Sequence, residues 1–244
     1  MKKIIQFLLQ KILGFKTYLF LFAIVKSIQI KYDKKESDFI FLFNFIKKDS
    51  NVLDIGANVG IMTSNLARHN PLGIVYAFEP INENFDTLKK VIRFFKLKNV
   101  QFFNFALGDE SKEIEMVLPV VNNVKMQGLS HVIDSEIVEF NEGEKYKVKQ
   151  ERIDDLQILR NIKIDAIKID VENFEYKVFL GARETMIKNK PIIYCELWDN
   201  ENRKQCFDFF QQINYQIKIV KNNKLIDFNN EVHNTQNFYF IPIS

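Results

Sequence analysis

Residues 52–60 read Val-Leu-Asp-Ile-Gly-Ala-Asn-Val-Gly, an apolar run that leads into two glycines and then into a helical pattern over Ile61–His69. The apolar run predicts a buried strand, and Gly56 and Gly60 predict a tight turn from that strand into the helix. Glycine permits positive φ angles and a close approach of the backbone to a ligand, and the first turn of a helix offers free N–H groups. We therefore expect a ligand-binding turn at residues 54–60.

Beyond this turn, strand and helix patterns alternate, which is typical of an α/β fold with a parallel sheet and right-handed crossovers. Residues 108–160 interrupt the alternation, and two alternating segments there predict an added antiparallel element. We predict a doubly wound, Rossmann-like sheet of seven strands with a β insertion after the third strand. The predicted strands are 51–55, 74–79, 100–107, 166–171, 191–197, 215–220 and 237–241, and the helices between them are 61–69, 83–95, 176–188 and 203–212.

The composition is that of a globular chain. Of its 244 residues 47% are apolar and 27% are charged, which excludes a disordered or fibrous protein. The net charge is only +3, and the sequence shows no concentrated basic patch of the kind that binds nucleic acids. We therefore expect no nucleic-acid partner. Cys195 and Cys206 form no disulfide framework, which favours the cytoplasm. We divide the chain into a helical extension over residues 1–48 and an α/β domain over residues 49–244.

The N-terminal extension is rich in Ile, Leu and Phe over Ile4–Ile30, but Lys11, Lys16 and Lys26 interrupt it. Its longest clean stretch is shorter than the roughly 20 residues of a spanning helix, and no small-residue signal-peptide cleavage site follows. The pattern predicts one or two amphipathic helices. We favour packing of these helices against the α/β domain, and the alternative is a lysine-flanked helix on the inner membrane face. The predicted location is the cytoplasm, and peripheral membrane contact through residues 4–30 stays open.

Acidic residues follow the predicted strands at the edge where parallel strands end. Glu79 closes the second strand about twenty residues after the glycine turn, where an acid can accept hydrogen bonds from two ribose hydroxyls. Asp54, or nearby carbonyl groups, could meet the ammonium of an amino-acid tail, and Asp109 after the third strand could accept from an adenine amino group. Neither the G-x-G-x-x-G dinucleotide pattern nor the G-x-x-x-x-G-K-[ST] triphosphate pattern is present. The turn therefore favours a nucleoside that carries an amino-acid tail.

Three further acids end the later strands at the same edge. Asp170 and Glu172 follow Ile167–Ile169, and Glu196 ends the next apolar run. Buried charges are costly unless they are paired or used, so these acids are candidates for catalysis. They could act as a general base on an acceptor hydroxyl, bind a divalent cation or orient the amino-acid tail. No zinc pattern joins the histidines and cysteines, so no metal site is assigned, and we interpret His131 as a solvated loop residue rather than a general base.

These segments together resemble the FkbM family of S-adenosyl-L-methionine-dependent methyltransferases, through residues 52–60, 76–80, 106–109, 152–156 and 167–172. The resemblance implies a class I methyltransferase domain over residues 49–244, S-adenosyl-L-methionine as cofactor, and methylation of a hydroxyl on a sugar, a glycan such as a polysaccharide, or a natural product. Asn173 stands where the family usually has glycine, but Asn tolerates left-handed geometry, so the turn can survive. The residues that would hold the cofactor are Asp54, Gly56, Ala57, Asn58, Gly60, Glu79 and Asp109, and those that would face the acceptor are Asp170, Glu172 and Glu196.

Two rival functions stay open. A nicotinamide-dependent oxidoreductase could use a similar sheet, although the third glycine of its pattern is missing. A catalytically silent, methyltransferase-like binding module is the second rival, because Asn173 alters the acceptor side. The expected partner is a small-molecule or glycan acceptor, and the sequence identifies neither that acceptor nor the oligomeric state.

Overall fold

The computed structural model describes residues 2–121, 124–133 and 141–243. Its strands are β1 Val52–Ile55, β2 Val75–Phe78, β3 Val100–Phe103, β4 Ala106–Leu107, β5 Lys112–Val121, β6 Val124–Lys125, β7 His131–Val132, β8 Gly143–Glu151, β9 Ala166–Ile169, β10 Ile192–Glu196, β11 Tyr215–Lys221, β12 Lys224–Asp227 and β13 Asn237–Pro242. Its α-helices are α1 Lys2–Leu13, α2 Phe15–Gln29, α3 Ser37–Phe41, α4 Ile61–His69, α5 Asn82–Phe94, α6 Glu175–Leu180, α7 Arg183–Asn189 and α8 Glu201–Gln212.

The main sheet has, within the described ranges, eight strands in the order β12-β11-β13-β10-β9-β1-β2-β3. β1 pairs in parallel with β2 and β9, β2 with β3, and β9 with β10. β13 runs antiparallel to both β10 and β11. Helices connect the parallel strands, which confirms the predicted doubly wound α/β fold. The carboxyl ends of β1, β2, β9 and β10 therefore share one edge.

The predicted number of strands in this sheet is too low by one. After β11 the chain turns at Asn222 and Asn223, whose φ angles are 53° and 57°, and returns as β12. Two residues with positive φ form the favoured turn between adjacent antiparallel strands, and Asn tolerates this geometry better than most residues. The predicted antiparallel pair near the C-terminus is present as β11 and β13.

The predicted β insertion forms a second sheet in which β5 and β8 pair antiparallel over most of their length. The predicted third strand, 100–107, is divided between the two sheets. β3 ends at Phe103 in the main sheet, and residues 106–107 leave it because they pair in parallel with residues 150–151 of β8. The carboxyl edge of β3 is therefore reached several residues earlier than the sequence pattern indicates.

The predicted helix 176–188 is also divided, into α6 and α7, at Gly181. A Cβ atom at Gly181 would lie 1.9 Å from the carbonyl oxygen of Gly108. This close backbone contact joins the second sheet to the helices that cover the main sheet, and it requires glycine at the point where the helix is interrupted.

Where the pattern predicts one or two helices, the N-terminal residues form two, α1 and α2, followed by the short α3. α2 packs on the α/β domain, where Leu19 and Ala23 are fully buried in a cluster with Val59 and Val91. The packing that we favoured for the extension is therefore present. No helix in the described part of the chain is long and apolar enough to cross a membrane.

Candidate active site

The turn after β1 depends on glycine at two positions. Gly56 and Gly60 have φ angles of 74° and 85°, which residues with a side chain rarely adopt. A Cβ atom at Gly56 would lie 1.9 Å from the carbonyl oxygen of Asp170, and one at Gly60 would lie 2.6 Å from Leu88 Cδ1. The backbone of the turn therefore packs directly on the end of β9 and on α5.

A buried ion pair lies beneath this turn. Asp54 is fully buried, and its carboxylate accepts a hydrogen bond from Thr63 Oγ1 at 2.6 Å and lies 3.4 Å from Lys168 Nζ. Lys168 Nζ also donates to the carbonyl oxygen of Gly56 at 3.0 Å. Burial by itself lowers the pKa of Lys168, but the carboxylates of Asp54 and Asp170 outweigh it and hold that pKa above its ordinary value. Asp54 thus contacts Lys168 rather than the cavity described below, and the sequence analysis did not identify Lys168.

Glu79, at the end of β2, is held by three donors. Its carboxylate accepts hydrogen bonds from the backbone N–H groups of Asn58 and Ile81, both at 2.9 Å, and from Asn84 Nδ2 at 3.3 Å. Burial raises the pKa of this carboxyl to about 7, although the two backbone donors act to lower it. Glu79 therefore lies at the predicted edge and changes charge near neutral pH.

A narrow cavity opens between the turn, Glu79 and the β insertion. Phe105, Leu107 and Met116 form an apolar side, and Gln127 covers the cavity from the insertion. Three amide oxygens of lining residues are buried and, among the described residues, have no hydrogen-bond partner: Asn58 Oδ1, Asn84 Oδ1 and Gln127 Oε1. Buried polar atoms are normally paired, so these oxygens mark a place where a ligand with several donor groups fits.

A second cavity, of about 250 Å³, lies on the other side of the turn. It shares Gly56, Asn58, Gln127 and Asp170 with the first cavity. Its far wall comes from the N-terminal residues, and the charged side chains of that wall are Lys26, Asp33 and Glu36. Asn58 Nδ2 donates to the Gln127 carbonyl oxygen at 3.2 Å, so two residues that line both cavities are in direct contact.

The acids that follow β9 and β10 form a partly buried group near these cavities. Asp170 and Glu172 line the first cavity. Burial, followed by the charges of Asp170 and Glu196, raises the pKa of Glu172. Burial and the charge of Asp170 likewise raise the pKa of Glu196, and burial raises that of Glu36. The charges of Asp170, Glu196 and Glu175 raise the pKa of Glu172 and that of Lys168 lowers it, so the acids around Glu172 outweigh this lysine, and a cationic ligand would relieve the excess negative charge.

The turn after β9 keeps its left-handed geometry without glycine. Glu172 and Asn173 have φ angles of 55° and 75°, and Asn200 Nδ2 donates to Asn173 Oδ1 at 2.6 Å. The expectation that Asn173 can replace the usual glycine is therefore confirmed for the backbone.

Several predicted residues lie away from the two cavities. Asp109 contacts Lys177 at 3.1 Å, because β3 ends at Phe103 and the chain has already left the main sheet. Glu196 and Gly60 line neither cavity, while Ala57 lines the second. His131 is not a solvated loop residue, since it is 3% exposed, belongs to β7 and places Nδ1 2.8 Å from the carbonyl oxygen of Leu129.

No metal-binding group is evident in the part of the chain that the structure describes, as no three His, Cys, Asp or Glu side chains are arranged to hold an ion. The residues that sequence reasoning missed are mainly amides and lysines: Lys26, Asn84, Gln127 and Lys168. Only Lys168 carried a signal, as a lysine inside the apolar run Ile167–Ile169.

Comparison with known proteins shows which family has this sequence and fold. The family model for the methyltransferase FkbM domain matches residues 54–225. "Methyltransferase 1" of Beauveria bassiana (strain ARSEF 2860) is 26% identical in an alignment 210 residues long, which covers 71% of this chain and 83% of the relative. The crystal structure of methyltransferase FkbM from Methylobacillus flagellatus KT matches with a TM-score of 0.54 and 17% identity over 81% of this chain, which spans only 45% of that protein. A putative rRNA-methylase from Clostridium thermocellum matches with a TM-score of 0.51 and 12% identity, over 87% of this chain and 97% of that one.

At these identities the two solved structures show the fold alone, which is that of class I methyltransferases. The family model covers well over half of the chain, and the chain therefore belongs to the methyltransferase FkbM domain family. This membership makes it an S-adenosyl-L-methionine-dependent methyltransferase and decides against the nicotinamide-dependent oxidoreductase.

We expect Lys168→Met to lower the free energy of unfolding by about 3–5 kcal/mol, because it leaves the Asp54 carboxylate buried without its cation. The double variant Asp54→Asn with Lys168→Met removes both charges and should regain much of that loss. Urea unfolding followed by the fluorescence of the single tryptophan, Trp198, measures both. Lys163→Met is the matched control, since the Lys163 side chain is exposed and the loss of its ion pair with the partly buried Asp165 should cost less than about 1 kcal/mol. An equal effect of the two single variants would contradict a structural role for the buried pair.

Proposed function

We propose that this protein transfers the methyl group of S-adenosyl-L-methionine to a hydroxyl oxygen of a small-molecule or glycan acceptor. The observation that carries the proposal is that a cavity with an apolar side, the buried carboxyl of Glu79 and further acids of raised pKa lie together at one sheet edge. Transfer to a hydroxyl needs alignment of the acceptor with the methyl group and removal of one proton.

The residues of the first cavity fit the nucleoside. Glu79 would accept hydrogen bonds from the ribose hydroxyls, as an acid at the end of the second strand does in related folds. The unpaired amide oxygens of Asn58, Asn84 and Gln127 offer further acceptors for ribose and adenine donors. Phe105 and Leu107 would contact the faces of the adenine ring. Asp54 would act through Lys168 and Gly56 by holding the turn in place.

The second cavity fits the amino-acid tail, which carries one ammonium and one carboxylate. Lys26 Nζ lies 3.4 Å from Asp33 Oδ2, and Glu36 and Asp170 line the same space. Lys26 would bind the tail carboxylate, and the acids would bind the ammonium. A zwitterionic tail needs both signs of charge, and this wall supplies both.

Glu172 is our candidate for the general base. It lines the first cavity, and burial and neighbouring acids raise its pKa to about 9. The positive charges of the bound cofactor would lower this pKa toward the range in which a carboxylate accepts a proton near neutral pH. S-adenosyl-L-methionine supplies a methyl group on a positively charged sulfur. Glu172 would take the hydroxyl proton as the carbon–oxygen bond forms and the carbon–sulfur bond breaks. Asp170 and Glu196 would contribute negative charge around the acceptor.

The same charges argue against a nucleic-acid acceptor. Phosphodiester backbones are bound by clusters of Lys and Arg side chains. The acids that influence Glu172 and Glu196 are instead more numerous than the one lysine beside them, Lys168. A neutral hydroxyl compound can approach these carboxylates without repulsion. The side chains that would contact it include Met116, Ser130 and Val132 of the β insertion.

We expect the affinity for S-adenosyl-L-homocysteine to rise between about pH 6 and pH 8, because the Glu79 carboxyl, whose pKa is about 7, accepts ribose hydrogen bonds best when it is ionised. Glu79→Gln should weaken binding at pH 8 by about 10–100-fold and remove most of the pH dependence. Isothermal titration calorimetry across this range measures both effects. Glu110→Gln, on an exposed acid, is the control and should leave the profile unchanged. An unaltered affinity of Glu79→Gln would exclude the ribose role.

We expect Lys26→Ala to weaken binding of S-adenosyl-L-homocysteine by about tenfold, since a charge-assisted hydrogen bond to the tail carboxylate is lost. Binding of 5′-deoxy-5′-methylthioadenosine, which has the nucleoside but no amino-acid tail, should not change. Lys31→Ala, on a neighbouring exposed lysine, controls for the loss of positive charge. Equal weakening of both ligands would show that Lys26 only supports the fold, and no weakening of either would show that it does not meet the tail.

The reaction is tested by incubating the protein with methyl-labelled S-adenosyl-L-methionine and lipid and glycan extracts from cells that lack the gene. We expect label in a product that withstands mild alkali and releases methyl iodide in hydriodic acid, as a methyl ether does. Glu172→Gln should lower the rate by about 10²–10⁴-fold without a matching loss of S-adenosyl-L-homocysteine affinity. Alkali-labile label would indicate a methyl ester, label retained in hydriodic acid an N-methyl group, and cofactor binding with no labelled product a silent binding module.

A further inference from the structure

We propose that the outer face of α1 and α2 docks on the surface of an anionic lipid bilayer. Large exposed apolar side chains are concentrated in this part of the molecule. Of the fourteen in the described residues, eight lie between residues 8 and 32. Single exposed apolar residues are ordinary on a soluble protein, but a concentrated group marks an interaction surface.

The exposed apolar side chains follow the helical period. On α2, Leu21, Val25 and Ile28 are each between 46% and 50% exposed, at spacings of four and three residues. The buried residues of the same helix, Leu19 and Ala23, lie on the face that packs against the α/β domain. α2 therefore has two apolar faces, and only one of them is covered by the protein.

α1 adds a second exposed apolar group. Leu8, Leu9, Ile12 and Leu13 are 38–76% exposed. α1 also contacts the β insertion, because Gln10 exchanges two hydrogen bonds, each 3.2 Å long, with the backbone of Lys125. This contact fixes α1 on the domain while leaving its apolar side chains accessible.

The positive charge of the N-terminal segment indicates an anionic partner for this surface. Residues 1–35 contain eight lysines and one aspartate, whereas the whole chain has a net charge of only +3, so the remainder is net acidic. Lysines near an anionic leaflet contribute about 1 kcal/mol each. A second copy of the chain would present the same positive segment and be repelled. An anionic bilayer complements both properties, because it combines negative headgroups with an apolar layer just beneath them.

The geometry fits a helix that lies in the interface. α1 and α2 have 12 and 15 residues, so at about 1.5 Å per residue each is shorter than the roughly 30 Å hydrocarbon core. An amphipathic helix can instead place its apolar face at the boundary between headgroups and acyl chains.

The surface lies next to the candidate active site. Phe22, Lys26 and Ile30, on another face of the same helical segment, line the second cavity. Docking would therefore hold the cleft beside the lipid. If the proposed function holds, on which this step rests, the acceptor is a hydroxyl compound anchored in the membrane, such as a lipid-linked glycan.

The test is flotation of the purified chain with phosphatidylcholine vesicles, with or without about a quarter phosphatidylglycerol. We expect binding to the anionic vesicles alone and its loss in about 0.5 M NaCl, where screening is strong. The triple variant Leu21→Ser, Val25→Ser and Ile28→Ser should lower binding at least about tenfold. Its matched control, Leu72→Ser, Ile158→Ser and Ile187→Ser, removes three exposed apolar residues elsewhere and should bind like the unaltered chain. The pair Lys11→Glu and Lys16→Glu should also lower binding, unlike the pair Lys145→Glu and Lys147→Glu on β8.

Absence of flotation, equal binding to neutral and anionic vesicles, or equal loss in the control triple variant would each overturn the proposal. So would an apolar-dependent dimer in size-exclusion chromatography with light scattering, because the face would then bind a second copy. S-adenosyl-L-homocysteine titration of the same variants separates the two proposals. Intact cofactor binding without flotation would overturn membrane docking but not the proposed function. Flotation without cofactor binding would overturn the proposed function but not membrane docking.

Discussion

The site is organised around the contact of Lys168 with Asp54 and with the carbonyl oxygen of Gly56. Asp54 lies on β1 and Lys168 on the neighbouring strand β9, at paired positions of the parallel register. Both side chains are almost completely buried, so each charge depends on the other for stabilisation, and Thr63 adds a hydrogen bond to Asp54. The same ammonium holds the backbone of the glycine turn, and the turn in turn packs on the end of β9. The positions of the turn and of the acids after β9 are thus fixed together.

The second organising feature is the unequal balance of buried charge. Burial raises the pKa of Glu172, Glu196 and Glu36, and the charge of Asp170 raises each of these pKa values further. The cost of holding acids together is reduced when a cation enters, and a sulfonium with an ammonium provides two positive charges. The negative charge at this edge would therefore favour binding of the positively charged methyl donor, in addition to any role toward the acceptor. A site for a phosphate-rich dinucleotide would be expected to show the opposite balance.

The sequence predicted the features that depend on local pattern. The period of apolar residues gave the parallel strands, and the glycine turn, Glu79, Asp170 and Glu172 lie at the predicted edge. It failed where the outcome depends on pairing between distant segments. Asp109 was placed at the adenine because nothing in residues 100–107 shows that residues 106–107 pair with β8. The amides Asn84 and Gln127 are unremarkable in sequence, since their importance comes from burial without a partner. Those assignments needed the tertiary structure.

The N-terminal extension shows why one sequence pattern supported two interpretations. A helix that packs on a domain and a helix that lies on a bilayer both require an apolar face. In α2 both the residues that contact the domain and the residues that are exposed are apolar. The apolar periodicity alone therefore could not distinguish packing on the domain from contact with a bilayer. The structure separates the two faces, and they are compatible because they occupy different sides of one helix. A third side contributes Lys26 to the cavity. If the exposed face docks on a bilayer as proposed, α2 would link that docking to the cleft, because the same helix carries Lys26 in the wall of the second cavity.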